Sequence, residues 1–192
     1  MIMLEIGSTV FAGASYCLDW GTGNRVTKNM VRGVQAFSVV NAVDRLARLS
    51  FPGNDGVAPG RLIHGLISVV LEEIAYAGIL TSQSLYWLPL RIGTSFVLGM
   101  TATQDIKIGL LFAVSRESIV RFLPTKFSKP LLVTADSIVF ALIEPKPEHP
   151  EARTYKAISS FFFRMIANTA AYETGIGASL TQHALFNLSR SI

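Results

Sequence analysis

With 192 residues, half of them hydrophobic and only 16% charged, the chain amounts to one domain and is too apolar for disorder. Its 15 glycines and 8 prolines follow no period, and a single cysteine, Cys17, excludes a disulfide framework and any multi-cysteine metal site. The net charge of +4 is carried by 17 scattered basic residues that mostly flank apolar segments, which speaks against nucleic-acid binding and suits cytoplasmic loops beside anionic lipid. Two classes remain, a soluble protein with a greasy core and a polytopic membrane protein. The second is favoured, because an average soluble domain carries about 25% charged residues.

In chain order, residues 1–30 form a mixed, glycine-rich N-terminal segment with a turn at Asp19–Asn24. Glu5 interrupts the place where a signal peptide's apolar region would run, and neither end carries a lipidation motif. Residues 31–50 read as a helix, ended by the breakers of Phe51–Gly60. From Leu62 to Leu90 the only formal charges are Glu72 and Glu73. About 20 residues of helix cross a hydrocarbon core of about 30 Å, so this stretch is long enough, with a bend or break expected at Ser82–Ser84. The apolar stretch 92–104 is short for a span. Residues 106–123, with Lys107, Arg116, Glu117 and Arg121, suit an interfacial or partly buried helix. An apolar run at 130–144 contains Asp136 and ends in the proline-rich loop Pro145–Glu151. Helices at 154–172 and 174–189, joined around Glu173-Thr174-Gly175, close the chain. No strand alternation or repeat emerges. The expectation is an all-α, polytopic membrane bundle of six or seven helical segments, with residues 31–192 as one domain. Helices or closed barrels alone satisfy the backbone in a bilayer.

In such a bundle the informative residues are the ionisable ones inside apolar runs. Glu72 and Glu73 are neighbours, so on a helix they point about 100° apart. Adjacent carboxylates oppose each other's ionisation, which suits one of them to act as a general base. The pair also reads as a solvated feature of a helix end. His183 and Asn187, four apart, share a helix face and could hold a water or a developing oxyanion. The plainer alternative is a buried histidine satisfied by a carbonyl. As a metal site the pair is poor, since His64 is the only further histidine in an apolar segment and His149 sits in the charged loop.

Taken together and in this order, these segments resemble the CAAX prenyl protease 2 and bacteriocin-processing (CPBP) family of intramembrane endopeptidases. The family's Glu-Glu-x-x-x-Arg motif is matched by Glu72-Glu73-Ile74-Ala75-Tyr76-Ala77-Gly78. An aromatic residue followed by three residues and a histidine is matched by Phe140 to Glu144. A Thr-Gly turn leading to His-x-x-x-Asn is matched by Thr174-Gly175 and His183 to Asn187. The resemblance covers residues 62–189. It implies a bilayer-embedded bundle that hydrolyses a peptide bond of a prenylated or leader-bearing peptide, needing no cofactor. Glu72 would be the base, Glu73 structural, and His183 with Asn187 the oxyanion pair. Two positions depart from the pattern. Ala77 replaces the arginine, leaving Glu73 without its i,i+4 partner and expected to be protonated or hydrated. Glu144 replaces the histidine, where it would compete for the proton or help Glu72 and His183 hold a divalent cation. A catalytically silent relative that uses the cavity for binding or scaffolding is the alternative of a different class. An unrelated soluble helical protein is a third reading.

Overall fold

The computed structural model describes residues 10, 12–16, 24–50, 62–144 and 150–191. Cys17, most of the Asp19–Asn24 turn, the breakers at 51–60, the loop at 145–149 with His149, and the His64 side chain lie outside the described residues. Among those described there is no strand; residues 10 and 12–16 are helical, and the longer helices follow as α1 (Arg25–Ser50), α2 (Leu62–Glu73), α3 (Leu88–Thr103), α4 (Ile106–Phe122), α5 (Thr125–Ile143), α6 (Pro150–Thr174) and α7 (Ile176–Ser191). The chain is all-α, as expected.

Local chemistry places the boundaries. α1 begins six residues before the expected start because Asn24 Oδ1 accepts from Thr27 N at 3.0 Å and so caps it. Gln104, at φ 56°, closes α3 in the left-handed region, and Asp105 caps α4 by accepting from Lys107 N at 2.7 Å. α6 starts on Pro150 itself, since a proline fits the first helical position, where no amide partner is needed. Gly175, at φ +116°, turns the chain between α6 and α7, a conformation costly for any residue with a Cβ.

The long apolar stretch from Leu62 is divided. α2 runs into a π-helical turn, Ile74–Ile79, and helix resumes only with a 3-10 turn at Leu85–Trp87. Two arginines from elsewhere take the carbonyls freed at the break. Arg116 donates to Leu80 O at 2.7 Å, and Arg91 donates to Ser82 O at 2.7 Å and Ser84 O at 2.8 Å. The break expected at Ser82–Ser84 is therefore stabilised by tertiary contacts.

Two ion pairs of α3 to α5 point inward. Arg91 and Glu117 form a bidentate pair (2.8 and 3.1 Å), as do Arg116 and Asp136 (both bonds 2.9 Å), and all four residues are buried. The outer surfaces of the same helices expose Ile92, Val97, Leu110, Leu111, Val114, Leu131 and Ile138. Of the two readings of 106–123, the partly buried helix is the one found, with Arg116 and Glu117 of α4 facing the interior and its leucines facing out. No helix among the described residues is long and apolar enough to cross a membrane.

Small residues permit the close crossings. A Cβ on Gly33 of α1 would lie 2.7 Å from Ala178 O and would overlap Thr181, both on α7. Gly33→Val is therefore expected to lose about 1–3 kcal/mol, read as a lower midpoint in denaturant. Gly13→Val, with nothing within 4 Å of the added Cβ, is the matched control and should change little. Asp44 of α1 ties down α6 by accepting from Tyr155 Oη at 2.6 Å and Ser159 Oγ at 2.7 Å. Val40, Tyr76, Leu80, Phe140, Phe163 and Phe186 form the apolar cluster on which the candidate site rests.

Candidate functional site

Glu72 and Glu73 sit where α2 gives way to the π turn. Being adjacent on a helix, they diverge. The Glu73 side chain is completely buried, while that of Glu72 is 33% exposed. Three groups from two other helices converge on Glu73: Arg164 Nη2 of α6 at 2.8 Å to Oε1, His183 Nδ1 of α7 at 2.8 Å to Oε1, and the Ser179 hydroxyl of α7 on Oε2. The expectation of an unpartnered Glu73 is thus corrected. The cation missing at Ala77 comes from Arg164, 91 positions along the chain, and the carboxylate needs neither a proton nor water to be satisfied.

Arg164 is itself fully buried, with its guanidinium carbon 4.7 Å from the Tyr76 ring centroid and 4.5 Å from that of Phe140. Aromatic faces favour a cation at such distances. Tyr76 meets Phe140 edge-on, and Phe163 packs against Phe140, His183 and Phe186. Phe140, the aromatic of the second motif, therefore supports the site by packing.

With Nδ1–H donating to Glu73, the His183 ring is fixed and its Nε2 faces Glu72. His183 Nε2 lies 3.9 Å from Glu72 Oε2, and Arg164 Nη2 lies 3.7 Å from the same oxygen. That oxygen is buried and has no hydrogen-bond partner among the described residues. Two atoms 3.9 Å apart can both hydrogen-bond to one water placed off the line between them. An ionised carboxylate and an imidazole on one water form a general-base arrangement.

Beside His183 opens a cavity of about 70 Å³. Glu144, Lys156, Ser160, His183 and Asn187 contribute polar groups to it, and Phe140, Phe163 and Phe186 contribute apolar wall. Of the five expected residues, Glu144, His183 and Asn187 line the cavity; Glu72 does not, its Oε2 standing 3.9 Å from His183 Nε2. Glu73 lies behind them as the orienting carboxylate. Glu144 caps the end of α5, and its Oε2 is 2.6 Å from Lys156 Nζ. Its expected role as competitor for the Glu72 proton is offset by that ammonium. Among the described residues no group of three or more His, Cys, Asp and Glu side chains is placed to hold a metal ion. The cation envisaged between Glu72, Glu144 and His183 has no such cluster behind it, and Lys156 is the positive charge beside Glu144 instead.

Arg164, Ser179 and Lys156 were missed in the sequence reading. Arg164 carried a usable signal, being the single charge in the apolar run Ser159–Ala167. Ser179 and Lys156 carried none, because a serine on a helix and a lysine beside a loop are commonplace.

Comparison with known proteins finds no matching family model, no matching curated protein and no matching solved structure.

Proposed function

We propose that this chain is a bilayer-embedded, CPBP-like endopeptidase that hydrolyses a peptide bond of a lipidated or leader-bearing peptide with a glutamate-activated water. The juxtaposition of Glu72 Oε2 and His183 Nε2 at 3.9 Å, with His183 oriented by Glu73, carries the reading. Glu72 takes a proton from the water as its oxygen bonds to the scissile carbonyl carbon. The carbonyl π pair moves to oxygen, beside His183 and Asn187. Collapse then breaks the C–N bond, and the leaving amine takes the proton from Glu72. Embedding in a bilayer is supported by the paired charges inside and the exposed aliphatic surface of α3 to α5. Averaged hydropathy counts the interior ion pairs as polar although no lipid would meet them.

The alternative, a catalytically silent binding or scaffold protein, draws support from the Glu144–Lys156 pair in place of a second water-activating imidazole. The test is carbonate extraction of membranes, followed by cleavage of a lipidated peptide by wild type and by Glu72→Ala. A membrane-resistant protein with activity absent from Glu72→Ala is expected. Release by carbonate, or equal cleavage by the two, would overturn the proposal.

A further inference from the structure

Lys156 is a cation that the hydrolytic scheme above does not use, yet it shares a cavity with His183 and Asn187, the pair assigned there to the oxyanion. Its ammonium meets Glu144 at 2.6 Å, and both side chains are one-fifth exposed, at the wall of the cavity. His183, Asn187 and the buried Ser160 line the same space. A cation, two serine hydroxyls, a carboxamide and an imidazole around about 70 Å³ make a donor-rich chamber whose only anion among the described residues is Glu144. An ammonium is a compact point charge on a flexible stem, so it can exchange one anionic partner for another.

We infer that Lys156 heads an anion subsite, held by Glu144 at rest and passed to the tetrahedral oxyanion when water adds to the substrate. The inference rests on the proposed hydrolysis for the identity of the anion, but the subsite itself can be probed without turnover. As the water oxygen bonds to the carbonyl carbon and its proton passes to Glu72, the π pair becomes a full negative charge on the former carbonyl oxygen. That charge competes with Glu144 for Lys156, and charge-assisted hydrogen bonds are roughly twice as strong as neutral ones. Glu144 thus acts as an internal stand-in for the transition state, restraining the lysine and weakening any weaker anion.

The test uses full-length protein in lipid nanodiscs and a lipidated peptide with one backbone amide replaced by a phosphonate, a stable tetrahedral anion. The matched amide peptide serves as reference, and calorimetry gives the ratio of the two affinities. Wild type should favour the phosphonate. Glu144→Gln, which releases the ammonium while keeping the side chain's shape, should raise that preference by roughly tenfold. Adding Lys156→Met to Glu144→Gln should abolish the gain, whereas Lys156→Arg should retain most of it. An unchanged ratio in Glu144→Gln, or a gain that survives Lys156→Met, overturns the inference. Lysine-dependent phosphonate binding without cleavage of the amide would reject the hydrolysis and keep the subsite. Cleavage that is indifferent to Lys156→Met, with no phosphonate preference, would do the reverse.

Discussion

Replacing Arg164 by methionine is expected to cost about 3–5 kcal/mol of folding stability, the usual consequence of stripping a buried ion pair of one partner. The effect is large because the Glu73 side chain is completely buried, and among the described residues Arg164 is its only full positive charge within 4 Å unless His183 is protonated. The loss should appear as an early transition when the purified protein in detergent micelles is titrated with denaturant. The double variant Glu73→Gln/Arg164→Met should recover much of it, because replacing both members of a buried pair by neutral groups of similar size is often close to neutral. A single variant as stable as wild type would show that the ion pair does not hold α2 against α6. A double variant no better than the single would shift the cause to the lost packing of Arg164 on Tyr76 and Phe140.

On the proposed hydrolysis, Glu72→Gln is expected to lower peptide cleavage by about 10²–10⁴-fold, the ordinary contribution of a general base, while leaving the fold intact. The two neighbouring glutamates separate these effects. Glu72 is one-third exposed and its Oε2 has no hydrogen-bond partner among the described residues, whereas Glu73 is locked by three groups. A carboxamide at Glu72 can occupy the same place and still contact a water, but it cannot take the proton. Circular dichroism and the denaturation midpoint should therefore match wild type, and only the rate should change. Equal rates would remove Glu72 from the chemistry. Glu144→His adds a gain-of-function arm, because it places an imidazole at the cavity wall and frees Lys156. Cleavage that rises only in this variant would identify the present chain as a disabled hydrolase, the second reading above.

Much of the site was legible one residue at a time. Glu72 and Glu73 stood out as the sole charges between Leu62 and Leu90, and His183 with Asn187 stood out by their spacing along one face. What spacing could not supply was the partner of Glu73. An arginine four residues on would have been visible as a helical pair, and Ala77 excluded it. Arg164 does the same work from another helix, and no local pattern links positions 91 apart. The same limit explains α4. Arg116 and Glu117 look like the polar side of an interfacial helix until Asp136 and Arg91 are found opposite them, and then the polar side proves to be the interior.

The linear chain decides what is governed by neighbours within a few residues: the all-helical class, the break near Ser82–Ser84, and the Gly175 turn. Capping, backbone freedom and 3.6-residue periodicity all act at that range. The tertiary structure decides which way each charged face points and which ions meet, so it alone shows Glu73 anchored between α2, α6 and α7, His183 aimed at Glu72, and Lys156 beside Glu144. Burying a charge is tolerable only when an opposite charge or a set of donors waits within a few ångströms, and that condition is met across the bundle, by residues that have no relation in sequence.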